Sequence, residues 1–197
     1  MFTFIRRILF LLPPERAHYT TMNLLQVLCA FAPTRWLLQQ IWPMVHDPVE
    51  VAGIRFPNRV GLAAGFDKDA RFMRVFKTLG FGHMEIGTIT PKTQPGNEKP
   101  RLFRLPADKA LINRLGFNNM GLDHAIEKLK NRPQGLIIGG NIGKNKLTPN
   151  EEAESDYVKC FEGLFPYVDY FTVNVSSPNT PNLRALQEKE PLMALLT

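Results

Sequence analysis

The chain has 197 residues, of which 44% are hydrophobic and 21% are charged. This composition is typical of a folded protein with a hydrophobic core and excludes a disordered or fibrous chain. The net charge is +6, and residues 51–132 carry 15 Lys and Arg against 7 Asp and Glu. A basic middle fits an anionic ligand or an acidic surface, although a solvated surface with excess lysine explains it equally well. Nucleic-acid binding is not expected, because no basic run interleaved with aromatic residues occurs.

Cysteine and histidine usage indicates the redox compartment and argues against a metal site. Cys29 and Cys160 are far apart and lack metal-ligand spacing, which predicts a reducing compartment and two small core residues. The four histidines are scattered, so no metal ligand is predicted. No apolar window is long enough for a spanning helix, and no cleavable signal peptide is expected.

The first 45 residues predict a small helical domain. The segments MFTFIRRILFLL, PERAHYTTMNLLQVLCAF and PTRWLLQQIW read as three short helices that are separated by prolines. The second helix carries an apolar stripe at helical spacing, which consists of Ala17, Thr21, Leu24, Leu25, Leu28 and Phe31. Two interpretations remain open: the helices dock on the main domain, or they lie in a membrane surface with Arg6 and Arg7 near lipid headgroups.

Strand and helix signals alternate from residue 46 onwards. DPVEVAGIRFPN predicts a hairpin that turns at Ala52-Gly53, and VGLAAG, HMEIGTIT, GLIIGGNIG and YFTVNV read as strands. Helices are predicted at DARFMRVFKTLG, GLDHAIEKLKNR, NEEAESDYVKCFEGLF and NLRALQEKEPLMALL, and a long loop follows the second strand through residue 110. Because the strands are apolar throughout, they are expected to form a parallel sheet that helices cover.

The number of strand–helix units indicates an α/β fold of the TIM-barrel type. A (β/α)8 barrel typically needs about 250 residues, and residues 46–197 hold four units. This region is therefore predicted to be the first half of such a barrel, truncated at its C-terminus. A small open sheet and two chains that complete each other are the alternatives.

Polar side chains follow the first two predicted strands. In parallel α/β domains, ligands bind at the carboxyl ends of the strands. Ala63, Ala64 and Gly65 end the first strand and let the backbone approach a flat ligand closely, with Lys68 supplying a nearby cation. Thr88 offers a hydroxyl at the end of the second strand.

Asparagines dominate the remaining candidate positions. Asn141 follows the third strand, and Asn174, Ser177 and Asn179 follow the fourth. The segment LINRLGFNN at residues 111–119 adds further amides, a guanidinium and glycines. Asparagine both donates and accepts hydrogen bonds, which suits a flat heterocycle with alternating C=O and N–H groups. The dinucleotide fingerprint, the P-loop and the nucleophile elbow are absent from the sequence.

Six segments in order resemble the dihydroorotate dehydrogenase family: GLAAGFDKDA, EIGTIT, QPGNEKPRLFRL, LINRLGFNN, NIGKNK and NVSSPNTPNLRALQ. The N-terminal FIRRILFLLPPERAH resembles the helices of its class 2, the quinone-dependent and membrane-associated form. The resemblance implies a (β/α)8 barrel that uses FMN to oxidise dihydroorotate to orotate in pyrimidine biosynthesis.

The resemblance also implies residue roles. The cofactor contacts would be Ala64, Gly65, Phe66, Asp67, Lys68, Thr88, Asn141 and Asn174. The substrate contacts would be Lys68, Asn113, Arg114, Leu115, Gly116, Phe117, Asn174 and Asn179. Ser177 would be the catalytic base, at the position where soluble class 1 enzymes have cysteine.

Membrane quinone is the electron acceptor that the class 2 resemblance implies. Because the sequence begins with Met1 directly before the helical region, we expect a peripheral protein on the cytoplasmic side of a bacterial inner membrane. The alternatives are a class 1-like or dihydropyrimidine-type flavin barrel with a soluble acceptor, or an inactive truncated fragment. These 197 residues alone are expected to be inactive.

Overall fold

Three helices open the chain, as the sequence predicts. The computed structural model describes residues 2–196, beginning with α1 (Phe2–Phe10), α2 (Pro14–Ala30) and α3 (Ala32–Ile41). Pro14 and Pro33 lie in the first turns of α2 and α3, where a missing backbone N–H breaks no helical hydrogen bond. No helix within residues 2–196 is long and apolar enough to cross a membrane.

The buried face of α2 differs from the predicted stripe. Met22 and Cys29 are buried and join the main core, with Leu25 packed against it. Leu24 and Phe31 of the predicted stripe are 59% and 62% exposed, so the stripe as a whole is not buried against the main domain. Apolar residues lie on both sides of α2, so the sequence alone does not identify the side that packs against the main core.

The remaining elements follow in chain order. The strands are β1 (Val49–Val51), β2 (Ile54–Phe56), β3 (Gly61–Leu62), β4 (His83–Ile89), β5 (Leu102–Leu105), β6 (Ala110–Asn113), β7 (Ile137–Ile142) and β8 (Tyr170–Val173). The helices are α4 (Met73–Thr78), α5 (Leu122–Leu129), α6 (Ala153–Leu164) and α7 (Lys189–Leu196), with short 3-10 turns at Asn150–Glu152 and Leu183–Gln187.

A parallel sheet in the order β3-β4-β7-β8 forms the centre of the molecule. Each strand pairs with the next one in the predicted βα series, which confirms an α/β fold with the strand order of a partial TIM barrel. The four strands remain an open sheet within residues 2–196. The division into domains 1–45 and 46–197 stays a prediction.

The core lies between this sheet and the helices α4, α5 and α6. Met84, Ile86 and Ile138 are fully buried there, and each such side chain contributes roughly 1.5–3 kcal/mol by leaving water. Alternate residues of a strand face opposite sides, so His83 and Glu85 of β4 face away from these helices. Phe56 of the β1–β2 hairpin packs on that other side, with its ring centroid 4.9 Å from that of His83.

Two hairpins frame the sheet, and one of them was not predicted. The first turns at Ala52 and Gly53, whose φ values of 50° and 77° suit the tight hairpin turn that the sequence predicts. The second pairs β5 with β6 inside the segment that was predicted to be a loop. The two strands have only four residues each, and the surrounding Pro, Gly, Lys and Arg residues are typical of a loop, so the sequence did not indicate this hairpin.

Two further predictions were wrong in detail. The first strand of the sheet contains only Gly61 and Leu62, not the whole of VGLAAG. The single C-terminal helix is divided into a 3-10 turn and α7, because Glu188 between them is extended, with φ −64° and ψ 155°. Pro191 lies in the first turn of α7, where a proline is tolerated. Cys29 and Cys160 are both free and buried, as expected.

Candidate active site

Three polar side chains from three neighbouring strands meet at the carboxyl edge of the sheet. The Thr88 hydroxyl donates to Asn141 Oδ1 at 2.5 Å, and Asn174 Nδ2 donates to Thr88 Oγ1 at 2.8 Å and to Asn141 Oδ1 at 3.2 Å. Thr88 and Asn141 are each only 5% exposed. The predicted strand-end residues therefore form one compact group, which we call the amide cluster (Thr88, Asn141 and Asn174).

A carboxylate lies beside the amide cluster on β4. Asn141 Nδ2 donates to Glu85 Oε2 at 3.4 Å, and the Tyr170 hydroxyl donates to Glu85 Oε1, also at 3.4 Å. Burial, reinforced by the neighbouring carboxylate, raises the pKa of Tyr170, so this hydroxyl keeps its proton. Sequence reasoning missed Glu85; the available signal was one acid inside the apolar strand HMEIGTIT.

The loop after β3 is fixed by backbone and carboxylate hydrogen bonds. Gly65 N donates to Gly87 O at 2.8 Å, which joins this loop to β4. The Asp67 carboxylate accepts from the backbone N–H groups of Arg71 and Phe72 at 2.8 and 2.7 Å. Burial raises the pKa of Asp67 to about 6, and the carboxylate holds the segment that leads into α4.

The Phe66 side chain points away from the amide cluster. Its ring packs edge-on against His18 of α2 and Phe76 of α4, with centroid distances of 4.6 and 5.5 Å. The Phe66 ring is thus occupied by contacts with the helices. Ala64 and Gly65, which precede it in the same loop, offer a ligand only backbone groups and one methyl group.

Lys68 lies at a partly enclosed cavity of about 570 Å³ between α2, the β3–α4 loop and the β5–β6 hairpin. Its Nζ donates to Asn118 Oδ1 at 2.6 Å. Burial, together with the Arg101 guanidinium, lowers the pKa of Lys68 to about 8. Ala64, Gly65 and Asn113 line the same cavity, so the structure brings these predicted residues together.

The segment from Asn113 to Phe117 is a tightly turned loop whose side chains point in different directions. Asn113 Oδ1 accepts from Leu115 N at 2.9 Å, and Gly116 and Phe117 have φ values of 72° and 49°. The Arg114 guanidinium donates to Pro100 O at 2.9 Å, beside the β5–β6 hairpin. Asn113 and Leu115 line the Lys68 cavity, whereas the side chain of Phe117 is buried.

Ser177 and Asn179 lie on the loop after β8. Asn179 N donates to Ser177 Oγ at 3.2 Å, and Asn179 Nδ2 reaches Asn113 O at 3.5 Å. The half-buried Ser177 therefore lies on a loop that contacts the predicted substrate loop. Within the described part of the chain, no carboxylate or imidazole hydrogen bonds to the Ser177 hydroxyl.

These residues fit one flat, neutral ring system with hydrogen-bonding edges. A side-chain atom added at Gly65 would meet nothing within 4 Å, so the space above this backbone is open. Asn141 retains one N–H and Thr88 one lone pair beyond the hydrogen bonds of the amide cluster. A parallel sheet with such groups at its carboxyl edge defines the class of α/β-barrel enzymes.

Comparisons with known proteins agree with this class. Residues 48–197 match the family described as dihydroorotate dehydrogenase. Dihydroorotate dehydrogenase (quinone) of Delftia acidovorans is 56% identical over 97% of this chain and 56% of its own length. The protein of the same name from Christiangramia forsetii is 54% identical over 98% of this chain and 57% of its own.

A solved structure shares the fold. The DHODH of Eimeria tenella in complex with ferulenol superposes with a TM-score of 0.77 at 39% identity, covering 93% of this chain and 49% of the other. The chain belongs to the dihydroorotate dehydrogenase family, whose members use a flavin. It spans about half the length of the curated relatives that it matches.

Proposed function

We propose that the protein oxidises dihydroorotate to orotate in pyrimidine biosynthesis, with FMN as the hydride acceptor and a membrane quinone as the final acceptor. The observation that carries this proposal is the amide cluster at the carboxyl edge of the sheet, flanked by the Lys68 cavity and Ser177. The names of the quinone-dependent relatives support the same activity and acceptor.

The β3–α4 loop and the amide cluster would hold the FMN ring. Ala64 and Gly65 supply a close backbone surface, while the buried Asp67 carboxylate fixes the loop. Lys68, Thr88, Asn141 and Asn174 would hydrogen bond to the ring edges. When bound, FMN supplies hydride acceptance at its N5 atom.

The substrate would bind between the loops that follow β6 and β8. Asn113, Asn174 and Asn179 carry donors and acceptors that complement an alternating C=O and N–H edge. The Lys68 ammonium would attract the dihydroorotate carboxylate. Leu115, Gly116 and Phe117 would shape the loop that covers the substrate, and the Arg114 guanidinium would steady it through Pro100 O.

Ser177 would take the proton from C5 of dihydroorotate and release its own hydroxyl proton to solvent, while the hydride leaves C6 for the flavin. A hydroxyl is a weak base, and general-base efficiency depends on matching its pKa to the task. The half-buried position of Ser177 supports this role only in part, because a water-poor site forms when the ligands cover it. Asn179 N, which donates to Ser177 Oγ, orients the hydroxyl so that its lone pairs and proton have defined directions.

The first 45 residues would form the domain that meets the membrane and admits the quinone, and residues 46–197 would belong to the catalytic barrel. Exposed apolar side chains support this assignment, including Trp36, Leu37, Ile41 and Trp42 on and after α3. The protein would be peripheral, on the cytoplasmic side of a bacterial inner membrane. The Lys68 cavity opens between α2 and the β3–α4 loop, so the helical region borders the site that would hold the flavin.

Vesicle binding tests the membrane assignment. Trp36 is 62% exposed on α3, and replacing it by glutamate should lower partitioning to anionic vesicles. We expect about a tenfold loss, since burying one such side chain is worth roughly 1.5–3 kcal/mol. The matched control is Leu147→Glu, whose leucine is 95% exposed on a loop far from α3 in sequence. Equal vesicle binding by Trp36→Glu and Leu147→Glu would refute the assignment.

The activity is tested at Ser177 in the purified gene product loaded with FMN. Ser177→Ala should slow flavin reduction by dihydroorotate about 100- to 10,000-fold, the usual contribution of a general base, and should leave FMN bound. Ser176→Ala removes the neighbouring hydroxyl, which donates to Asn174 Oδ1 at 3.0 Å, and serves as the matched control. Near-normal stopped-flow reduction in Ser177→Ala would remove Ser177 from the mechanism.

A further inference from the structure

Glu85 terminates a chain of hydrogen bonds that has one direction. At the other end, Ser176 N donates to Asn174 Oδ1 at 3.1 Å. Asn174 Nδ2 then donates to Thr88, Thr88 donates to Asn141, and Asn141 Nδ2 donates to Glu85. Every donor therefore points towards the carboxylate, which is the only member of this chain that cannot donate when ionised.

The two ends of the chain fix the orientation of both amides. If the Asn141 amide were flipped, its oxygen would face the Glu85 carboxylate and its NH₂ group would face the NH₂ group of Asn174. If the Asn174 amide were flipped, its NH₂ group would face the backbone N–H of Ser176. Both alternatives set like partners against each other, and the penalty is larger at Asn141, whose side chain is buried, than at the half-buried Asn174.

Glu85 is itself held in place from β8. The Tyr170 hydroxyl donates to Glu85 Oε1, and burial keeps this hydroxyl protonated by raising its pKa. The Tyr170 ring occupies space over Gly139 of β7, where an added Cβ would overlap the ring. A glycine, a tyrosine and a glutamate from three adjacent strands therefore build this support beside the amide cluster.

We infer that the Glu85 carboxylate is a positioning residue that sets which hydrogen-bonding groups the amide cluster presents to its ligand. When ionised, the Glu85 carboxylate can only accept hydrogen bonds, so it selects the amide orientation in which Asn141 Nδ2 faces it, at 3.4 Å from Oε2. With Asn141 oriented in this way, one N–H of its amide and one lone pair of Thr88 remain for the ligand. That the ligand is FMN rests on the proposed function.

A swap of donor and acceptor tests this inference. Asn141→Asp would place a carboxylate oxygen against Glu85 and should weaken FMN binding. Adding Glu85→Gln supplies an amide donor in place of the repelling acceptor, while the other oxygen of the introduced carboxylate still accepts from Thr88. We expect the double variant to recover about tenfold in FMN affinity over Asn141→Asp, as for one hydrogen bond to a charged group.

The matched control separates a directional hydrogen bond from simple relief of charge. Glu85→Met in the Asn141→Asp background removes the repulsion but offers no donor, so it should recover less affinity than Glu85→Gln. FMN affinity is measured by quenching of flavin fluorescence, and urea unfolding of the same variants and the wild type is measured without flavin. Equal recovery by Glu85→Met and Glu85→Gln in both measurements would overturn the inference.

The two measurements also separate this inference from the proposed function. If the wild type binds no FMN, the proposed function fails, and the unfolding data alone decide whether Glu85 sets the polarity of the cluster. Every Asn141→Asp protein lacks the N–H that Asn141 offers to the ligand, so FMN affinities are compared only among these proteins. Equal FMN affinity with and without Glu85→Gln, alongside rescued folding stability, would show that Glu85 does not influence the ligand and would contradict the inference.

Discussion

The amide cluster and the Lys68 cavity use different physical chemistry. Thr88, Asn141 and Asn174 are neutral and satisfy one another through hydrogen bonds. Lys68 instead carries a charge that burial destabilises, so its pKa falls to about 8. The first region has a fixed arrangement that pH does not change near neutrality, whereas the second can lose its charge within the physiological range.

This difference assigns separate tasks to the two regions. A neutral cluster with fixed hydrogen-bond directions can bind a flat heterocycle without placing a charge beside it. Its selectivity for the ligand then comes from the geometry of the hydrogen bonds. A partly buried cation attracts an anion strongly, but only while it stays protonated. We therefore expect substitutions in the amide cluster to act through lost hydrogen bonds, and substitutions at Lys68 to act through the pH dependence of anion binding.

The largest effect on ligand binding is expected from Asn141→Leu. Leucine has a similar size, but it leaves the Thr88 hydroxyl without its acceptor and removes an acceptor from Asn174. The Thr88 hydroxyl left unpaired costs about 1–3 kcal/mol, so FMN affinity should fall about 5- to 160-fold. Fluorescence titration at several pH values checks this, and the loss should be the same at each pH. A loss of less than about threefold would show that the cluster does not hold the ring.

A smaller, pH-dependent effect is expected at Lys68. The ammonium is present below a pKa of about 8, so its attraction for an anion is complete at lower pH and is lost as pH rises through that value. Orotate affinity should therefore fall about tenfold between about pH 7 and about pH 9. Calorimetric titration with orotate over this pH range measures how steeply the affinity falls with pH.

Lys68→Arg provides the matched control for that slope. Arginine stays protonated at these pH values, so its orotate affinity should be nearly constant, whatever its absolute value. Parallel pH profiles for the wild type and Lys68→Arg would show that another group governs the binding of the anion.

The sequence predicts the amide cluster well because the strand order of a parallel sheet brings strand ends together. Thr88, Asn141 and Asn174 are far apart in sequence, but each lies near the carboxyl end of a predicted strand, and neighbouring parallel strands end at the same edge. The alternation of strands and helices was sufficient to predict this arrangement, since no detailed side-chain packing was needed.

Side-chain direction is the part that the sequence did not predict. Phe66 lies in a stretch predicted to contact the cofactor, yet its ring packs between α2 and α4. Glu85 was overlooked because its partners Asn141 and Tyr170 come from other strands. The apolar stripe of α2 did not identify the face that meets the core, because apolar residues lie on both sides of the helix. Such contacts depend on register and packing between elements, which local patterns do not encode.

The most direct test of the proposed activity is anaerobic addition of dihydroorotate to the complete gene product, not the 197 residues alone, after it has been purified and loaded with FMN. We expect the absorbance of the oxidised flavin to be bleached, and a quinone in vesicles to restore it faster than a soluble acceptor does. An FMN-loaded protein that keeps its oxidised spectrum in the presence of dihydroorotate would contradict the proposed activity. Faster recovery with a soluble acceptor would contradict the role of the quinone.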